Sequence, residues 1–498
     1  MTAVAPPTAP PALSHRQIQW LLSGLMTGLL LAALDQTVVG TALPTIVGQL
    51  GGMAHYSWVV TAYLLASTAS TPLYGRMSDL YGRRPVFLFA IGTFVLGSVL
   101  AGAAQTMTQL VVTRGVQGLG AGGLMTLAFT VVSDVVAPRD RGRYQGFFGA
   151  AFGLSSVAGP LAGGWLAEHD WRWIFYLNVP LGLLALVVCD RVLRLVPAVR
   201  RRHVAVDWAG AALLVTGVSC LLLALSWGGE AYPWHSAPVA GLFGAGAVLG
   251  ALFVLRQRVA AEPILPLGLF RRRTFSLATA ASFLFGVVMF GAVVYLPLYL
   301  QVVRGAAPAR SGMLMLPMMA GIIVTSVLSG RMISRVGRYK WFPVAGAAAM
   351  VVGLLLCAGL TAASPLSRVS TAMVVLGVGM GLCMQALVLA VQNGVDRAQL
   401  GAATASATFF RTLGGSFGVA ALGAVLAAGI EGGPAGAVRL DDPAGVAALP
   451  APVRLAVQAA LADGLQAVFL AAAAVTAVTV LVTALMPDVE LRGAPPPR

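Results

Sequence analysis

The sequence predicts an all-α integral membrane protein, and its composition and its pattern of apolar stretches are the observations behind this prediction. Of the 498 residues, 58% are apolar and only 10% are charged, whereas about 25% of the residues in an average soluble domain are charged. A soluble chain of this size needs more charge to cover its surface, which excludes an ordinary cytosolic enzyme and a disordered or fibrous chain. The net charge of +15 comes from few bases, so we expect no nucleic-acid partner.

Fourteen apolar stretches are long enough to cross a bilayer, because about 30 Å of hydrocarbon requires about 20 helical residues. Helix is the expected conformation, since a spanning segment must satisfy its own backbone polar groups and these runs are too long for barrel strands. The 59 glycines fit close packing between such helices. The predicted spans are 18–44, 56–76, 86–104, 107–132, 144–167, 173–193, 208–227, 237–255, 275–300, 311–333, 342–361, 371–392, 402–428 and 464–486.

The distribution of bases predicts the orientation of these spans. The segment before span 1 has a single base, Arg16, and no small-residue cleavage site follows it, so we expect a retained helix and not a signal peptide. With a cytoplasmic N-terminus, 24 of the 32 bases lie on the cytoplasmic side, six lie outside and two lie within spans. This split favours a multi-pass protein of the cell (plasma) membrane whose tails, 1–17 and 487–498, are both cytoplasmic.

An internal repeat divides the chain into two six-helix halves with two extra helices between them. The loop after span 2 begins Gly-Arg-Met at Gly75, and the loop after span 10 begins with the same three residues at Gly330, 255 positions later. At this offset Gly159 coincides with Gly414. Such repeats are typical of transporters, whose substrate site lies between the halves. The predicted units are the N-terminal half 18–193, the inserted helices with their basic linkers 194–273, and the C-terminal half 274–486.

Ionisable residues inside the spans are functional candidates. Asp35 lies about 17 residues into span 1, where an acid costs about 2.5–3.5 kcal/mol on insertion scales. Because burial favours a neutral carboxyl group and a nearby cation favours the charged form, Asp35 can load and release a proton. Arg114 in span 4 stays charged, so it can act only by moving relative to an acid or by binding an anionic group. A snorkelling position is the alternative for Arg114, and the role of Arg411 in span 13 stays open.

The loop after span 2 combines glycine with charge. Its glycines permit a tight turn and a close helix approach, and Asp79 with the two following bases can lock the halves together on the cytoplasmic face. Ser334 stands at the matching position of the second copy, which predicts an asymmetric lock. The loop residues in question are Gly75, Asp79, Gly82, Arg83 and Arg84.

These motifs together resemble the major facilitator superfamily and, within it, the fourteen-span drug:proton antiporter branch of multidrug efflux transporters. The resemblance covers roughly residues 18–486. The loop resembles the superfamily's signature loop, although Leu80 follows its acid, and 34–44 resembles a motif of the branch. The stretch 114–123 resembles a motif in which an intramembrane Arg serves proton transfer, and Asp134 resembles the acid that pairs with the loop, with Arg83 as its candidate partner.

A glycine-rich stretch in span 5 resembles the antiporter motif, which marks exporters as opposed to importers in this superfamily. Its small residues let a neighbouring helix approach closely, and its proline bends the helix. Generic helix packing is the alternative interpretation. The motif residues are Gly153, Gly159, Pro160, Gly163 and Gly164.

A substrate cavity is expected between the halves. Spans 10 and 12 are rich in Met, which suits an adaptable pocket for varied apolar ligands, although a role as core filler is the alternative for any single Met. The predicted cavity residues are Gln36, Tyr63, Gln117, Phe152, Tyr295, Met319 and Gln385.

The resemblance implies a proton-driven exporter of amphipathic, apolar or cationic small molecules that works by alternating access. The sequence has no phosphate-binding loop of the Walker type, so we expect no ATP drive and no cofactor, no metal site and no enzymatic activity. We also expect a monomer and one proton per cycle. A dedicated exporter of one metabolite, antibiotic or lipid is the alternative on the same fold, and a transport-inactive membrane receptor is a remote one.

Overall fold

Helices make up nearly all of the described chain. The structure is a computed structural model that describes residues 15–50, 56–137, 140–194, 206–229, 231–306, 308–430 and 449–491. Most of the two predicted tails lies outside these residues. The helices are α1 (His15–Leu50), α2 (Tyr56–Tyr81), α3 (Arg83–Gly102), α4 (Met107–Val135), α5 (Arg141–His169), α6 (Trp173–Tyr176), α7 (Asn178–Leu193), α8 (Trp208–Trp227), α9 (Ala237–Val259), α10 (Arg273–Leu298), α11 (Pro308–Leu314), α12 (Leu316–Val336), α13 (Trp341–Ala358), α14 (Leu366–Asn393), α15 (Leu400–Ile430) and α16 (Ala451–Ala484).

The ends of several helices follow from local backbone chemistry. Gly82, with φ of 93°, separates α2 from α3, and Gly337, with φ of 76°, ends α12 in the left-handed conformation that glycine adopts without strain. Thr106 caps α4 because its side chain accepts a hydrogen bond from the backbone N–H of Gln109. The last helix begins at Ala451, earlier than the predicted start at 464, because the helix continues on its N-terminal side through 451–463.

Twelve of the described helical segments are long and apolar enough to cross a membrane. The other two predicted spans correspond to α2 and α5, which have 26 and 29 residues but are less apolar. The reason is visible in α2, which buries Ser67, Thr68, Ser70 and Thr71 inside the protein instead of presenting apolar side chains to lipid. The all-helical membrane class is therefore confirmed, and the number of fourteen stays a prediction.

Helix packing follows the same order in the two halves. In the first half, α1 packs against α5. The helices α2 and α3 both pack against α4, and α3 also packs against α7. In the second half, α10 packs against α15, both α12 and α13 pack against α14, and α13 also packs against α16. Each half has its own apolar core, built on α1, α3, α4 and α7 in one and on α10, α13, α14 and α16 in the other. The halves meet chiefly through α2 on α15 and α5 on α12.

The inserted helices α8 and α9 pack against each other at the edge of this arrangement, where α8 contacts α2 and α15. Asp207 caps α8 and also accepts hydrogen bonds from Arg256 (2.9 Å) and Gln257 (2.9 Å) at the end of α9. Burial opposes the charge of Asp207, but the hydrogen bonds from the Gly210 N–H, Arg256 and Gln257 outweigh it and hold its pKa below the ordinary value. The Asp207 side chain thus links the start of α8 to the end of α9.

Candidate functional site

A buried ion pair joins α1 to α4. Nη1 of Arg114 lies 2.6 Å from Oδ2 of Asp35, and the two side chains are 2% and 0% exposed. Gln117, one turn after Arg114, accepts a hydrogen bond from the same Nη1 (2.6 Å) and donates from Nε2 to the other carboxylate oxygen of Asp35 (2.7 Å). The guanidinium also stacks 4.2 Å from the ring centre of Tyr63 on α2. The two residues singled out in sequence are therefore direct partners.

Two further residues of this network were missed by the sequence reasoning. Asn178, at the start of α7, donates to Oδ1 of Asp35 (3.0 Å), and Ser98 on α3 accepts from Gln117 (2.8 Å). Ser98 reaches Gln117 because Gly97 lets α3 approach α4 so closely that a Cβ there would lie 2.5 Å from the Gln117 backbone. Asn178 follows a break between α6 and α7, and a polar residue inside an otherwise apolar span was the signal available for it.

A cavity of about 50 Å³ lies beside this network, between the two halves. Tyr63 lines the cavity and also covers Arg114, so it separates the ion pair from the cavity. Gln36 lines it as well, and from the second half Arg411 does so together with Met384. A buried water needs about 10–15 Å³, so the cavity holds a few waters in this conformation and a drug-sized ligand requires the halves to move apart.

The other predicted cavity residues lie elsewhere. Gln117 belongs to the Asp35 network, and Tyr295 donates its hydroxyl to the carbonyl of Val419 inside the second half (2.8 Å). Met319 is buried in the core of that half. Gln385 is fully buried and does not line the cavity, and neither of its amide atoms has a hydrogen-bond partner among the described residues. Phe152 lies on α5, but its side chain is outside the described residues.

A second polar cluster lies at the end of the bundle where α2 ends and α15 begins. This end of the molecule is called the Asp79 end. The carboxylate of Asp79 accepts hydrogen bonds from the backbone N–H groups of Gly401 (3.0 Å) and Ala402 (2.8 Å), in the first turn of α15. An acid at a helix N-terminus satisfies free N–H groups and complements the helix dipole. Asp79 of the first half thereby caps a helix of the second.

Arg83 holds this acid in place. Its guanidinium lies 2.6 Å from Asp79 and 2.5 Å from Asp134, so one base bridges two acids. Arg84 takes no part in the lock, because it pairs with Asp190 on α7 (2.5 Å) within the first half. The structure thus gives the two adjacent bases different partners within the first half: Arg83 holds the acid that caps α15, and Arg84 binds α7.

Glycine contacts bring the halves together at the Asp79 end on both sides. A Cβ at Gly75 would lie 2.6 Å from the carbonyl oxygen of Gly401, and a Cβ at Gly330 would lie 2.0 Å from that of Gly142. Gly75 and Gly330 are the repeat positions found in sequence. Within the described residues, a capping acid is present on the first side alone. At the matching position of the second side, Ser334 donates its hydroxyl to the Gly330 carbonyl of its own helix (2.9 Å).

In place of a capping acid, the α5–α12 side has an open basic cavity. It is lined by Asp140, Arg143, Arg331, Ser334 and Arg335.

The glycines of the span 5 motif have different surroundings. Gly159 packs on α1, where a Cβ would lie 1.9 Å from the Thr37 hydroxyl oxygen, and Gly153 packs on Ile323 of α12, at 2.7 Å. Gly163 is buried, whereas a Cβ at Gly164 would have nothing within 4 Å. The side chain of Pro160 is outside the described residues. The motif therefore places α5 against α1 next to Asp35 and against the second half.

No group of three or more metal-ligating residues occurs within the residues that the structure describes. The polar chemistry of the site consists of one buried acid and base, amides, hydroxyls and a second base at the cavity. Such an arrangement can exchange a proton and move a charge, and its position between two halves is typical of alternating access.

Comparison with known proteins agrees with this architecture. The sequence matches the Major Facilitator Superfamily over residues 25–419. It is 41% identical to an uncharacterized MFS-type transporter of Mycobacterium tuberculosis over 98% of this chain and 73% of that protein. It is 39% identical to the multidrug transporter protein MdtP of Bacillus subtilis over 82% of this chain and 75% of that protein.

Solved structures share the fold at low sequence identity. The human organic anion transporter MFSD10 superposes with a TM-score of 0.66 at 16% identity, over 95% of this chain and 100% of that one. The proton:xylose symporter XylE superposes with a TM-score of 0.63 at 14% identity, over 96% and 98% of the two chains. The chain belongs to the Major Facilitator Superfamily, a family of multi-pass membrane transporters and not of enzymes.

Proposed function

We propose that this protein is a proton-coupled exporter of amphipathic small molecules, with fourteen spans and with both termini in the cytoplasm. The observation that carries the proposal is the buried Asp35–Arg114 pair, which the Tyr63 side chain separates from the cavity between the halves. Relatives named as multidrug transporters support a drug-like substrate. Proton flow, with no cofactor, supplies the driving force.

Coupling follows from the contacts of Asp35. A proton on Asp35 removes the charge that holds Arg114, and an unpaired buried charge is strongly destabilising, by about 3–5 kcal/mol. Arg114 then has to move, and since Tyr63 stacks on its guanidinium, the cavity wall moves with it. Substrate release and proton uptake are in this way linked through Tyr63.

The direction of access follows from the positive-inside assignment, which makes the Asp79 end cytoplasmic. This end is closed by Asp79 on α15 and by the Gly142–Gly330 contact. We infer that the present conformation is closed to the cytoplasm, the state in which Asp35 exchanges its proton with the outside. Breaking the Asp79 contacts then opens the cavity to cytoplasmic substrate.

The test is the substitution Asp35→Asn, with substrate-induced proton flux in proteoliposomes as the measurement. We expect the variant to insert into the membrane and to bind the substrate but to lose proton flux, because an amide does not carry the proton. Asp396→Asn is the matched control, since Asp396 is 63% exposed and pairs with Arg272 outside this network. Full proton flux in the Asp35 variant would show that the coupling site lies elsewhere.

A further inference from the structure

Arg411 is a cation inside the protein that has no counter-ion among the described residues. It lies on α15, on the second-half wall of the cavity between the halves. Its guanidinium has neither an ion pair nor a hydrogen bond with any residue that the structure describes. The buried bases of the first half differ from Arg411 in this respect, since Arg114 pairs with Asp35 and Arg83 pairs with Asp79 and Asp134.

The lining of the cavity carries no acid that could serve Arg411. Among the described residues that line it, Arg411 is the single charged side chain, and Asp35 is hidden behind Tyr63 with its charge already neutralised. The cavity therefore presents a net positive charge. Arg411 is only partly exposed in this conformation. A charge with little access to water is stabilised by pairing, so the cavity lacks one negative partner.

The remaining lining has the features of a site for an amphiphile. Apolar and aromatic side chains cover both walls, and hydroxyl groups are mixed among them on α2 and α15. One of these, the Thr68 hydroxyl on the wall of the first half, is buried and has no hydrogen-bond partner among the described residues. The apolar lining residues are Leu29, Met125, Phe129, Phe148, Met289, Phe290 and Met384.

We propose that Arg411 binds the anionic group of an amphipathic substrate, such as a carboxylate, sulfonate or phosphate, while Thr68 donates to the same ligand and the apolar body lies on the Met and Phe side chains. The proposal rests on the proposed export function and narrows its substrate class. Amphipathic, apolar and cationic substrates were expected from the sequence, and this proposal excludes the cationic ones, since a cation would meet Arg411 without a nearby free carboxylate. An anion instead supplies the missing partner.

The experiment compares two probes that share one scaffold, anilinonaphthalenesulfonate and the uncharged phenylnaphthylamine. Binding to the purified full chain is measured in nanodiscs of zwitterionic lipid, with empty nanodiscs subtracted. We expect the sulfonate to bind at least about tenfold more tightly than the amine, as for one charge-assisted contact. Arg411→Gln abolishes this preference, Arg411→Lys retains most of it, and Arg368→Gln, which removes an exposed base outside the cavity, leaves it unchanged.

Anionic lipid is a possible source of the same chemistry, so phosphatidylglycerol is added in a parallel series. Competition by this lipid identifies a lipid headgroup as a ligand of Arg411, and its absence favours a free amphiphile; both outcomes require Arg411. A wild-type chain that binds neither probe, or that binds both equally, overturns the proposal. Binding needs no proton gradient, so a failure of proton coupling in the Asp35→Asn experiment is distinguishable from a failure here.

Discussion

Asp35 accepts hydrogen bonds from side chains of two other helices, and this explains how a charge is tolerated so deep in an apolar bundle. Arg114 and Gln117 come from α4 and Asn178 comes from α7. Each donor stabilises the carboxylate, and removing one partner of such a pair costs about 3–5 kcal/mol. Protonation of Asp35 can therefore break the Asp35–Arg114 pair, whereas a small movement of the helices cannot. Asp79, by contrast, binds two backbone N–H groups of the opposite half and responds directly to separation of the halves.

Substitution of Asp79 by Ala should open the Asp79 end. The change removes two hydrogen bonds between the halves, together with the ion pair to Arg83 within the first half. A hydrogen bond to a charged group contributes about 1.5–3 kcal/mol. We expect the ratio of closed to open molecules to fall at least about tenfold. The measurement is the distance between spin labels at Tyr81→Cys and Val336→Cys, exposed residues of the two halves, in a chain whose four cysteines are replaced by Ala.

Asp488→Ala is the control for this experiment, because Asp488 pairs with Arg338 within the second half. It should leave the spin-label distances unchanged. An unaltered distance distribution in the Asp79 variant itself would mean that the glycine contacts alone keep this end closed.

At the scale of helices, close approach depends on a few glycines. Gly118 and Gly122 let α2 lie on α4, where a Cβ would lie 2.4 Å and 2.3 Å from the carbonyl oxygens of Tyr63 and Ser67. This approach brings the Tyr63 ring over Arg114. Gly159 likewise lets α5 pack closely on α1, beside Asp35. The glycine pattern of spans 4 and 5 therefore positions the ion pair and the cavity wall.

Two glycines of the same motif should respond differently to substitution. Gly159→Ala forces Thr37 or α1 to shift, and overpacking of this kind costs about 1–3 kcal/mol. Gly164→Ala meets nothing within 4 Å and gains up to about 1 kcal/mol of helix propensity. We expect a lower thermal unfolding temperature in detergent and reduced export for Gly159→Ala alone. Equal losses in both variants would contradict a steric role specific to Gly159.

At the scale of the whole molecule, two similarly packed halves enclose a small cavity and are joined at the Asp79 end by unequal contacts. The α2–α15 side has an acid on a helix N-terminus, whereas the α5–α12 side has glycine contacts beside a cavity lined with Arg143, Arg331 and Arg335. Rocking of the halves therefore breaks a polar lock on one side and a steric contact on the other. The inserted helix α8 contacts both α2 and α15, so the inserted pair lies beside the polar lock that this motion breaks.

The membrane potential should drive transport in proportion to the charge of the substrate. One proton entering for one neutral molecule leaving moves one charge, and a departing monoanion adds a second. Each charge contributes about 2.3 kcal/mol per 100 mV, so a tenfold gradient is balanced by about 60 mV for the neutral probe and about 30 mV for the sulfonate. The measurement is the reversal potential of probe flux in vesicles clamped with valinomycin at equal pH.

Equal reversal potentials for the two probes would contradict anion export. A value near 30 mV for the neutral probe would instead indicate two protons per cycle, against the single proton expected from the one acid deep in a span.

The sequence by itself determined the class of the protein, because the constraints of a bilayer act on local composition. A span has to be apolar and helical wherever it lies in the chain, so spans, repeat and intramembrane charges are readable residue by residue. The same logic singled out Asp35, Arg114 and the loop at Asp79, since a charge next to apolar residues is visible without any knowledge of packing. Gly75 and Gly330 were visible as a repeat.

Only the tertiary structure decided which of these residues meet. Which side of a helix faces a partner depends on how several helices cross, and the hydropathy of a span carries little of that information. For this reason Ser98 and Asn178 were missed, and Gln117 was expected in the cavity although it holds Asp35. The structure likewise pairs Arg114 with an acid and leaves Arg411 without one, because the positions of acids on neighbouring helices are a property of packing and not of either helix alone.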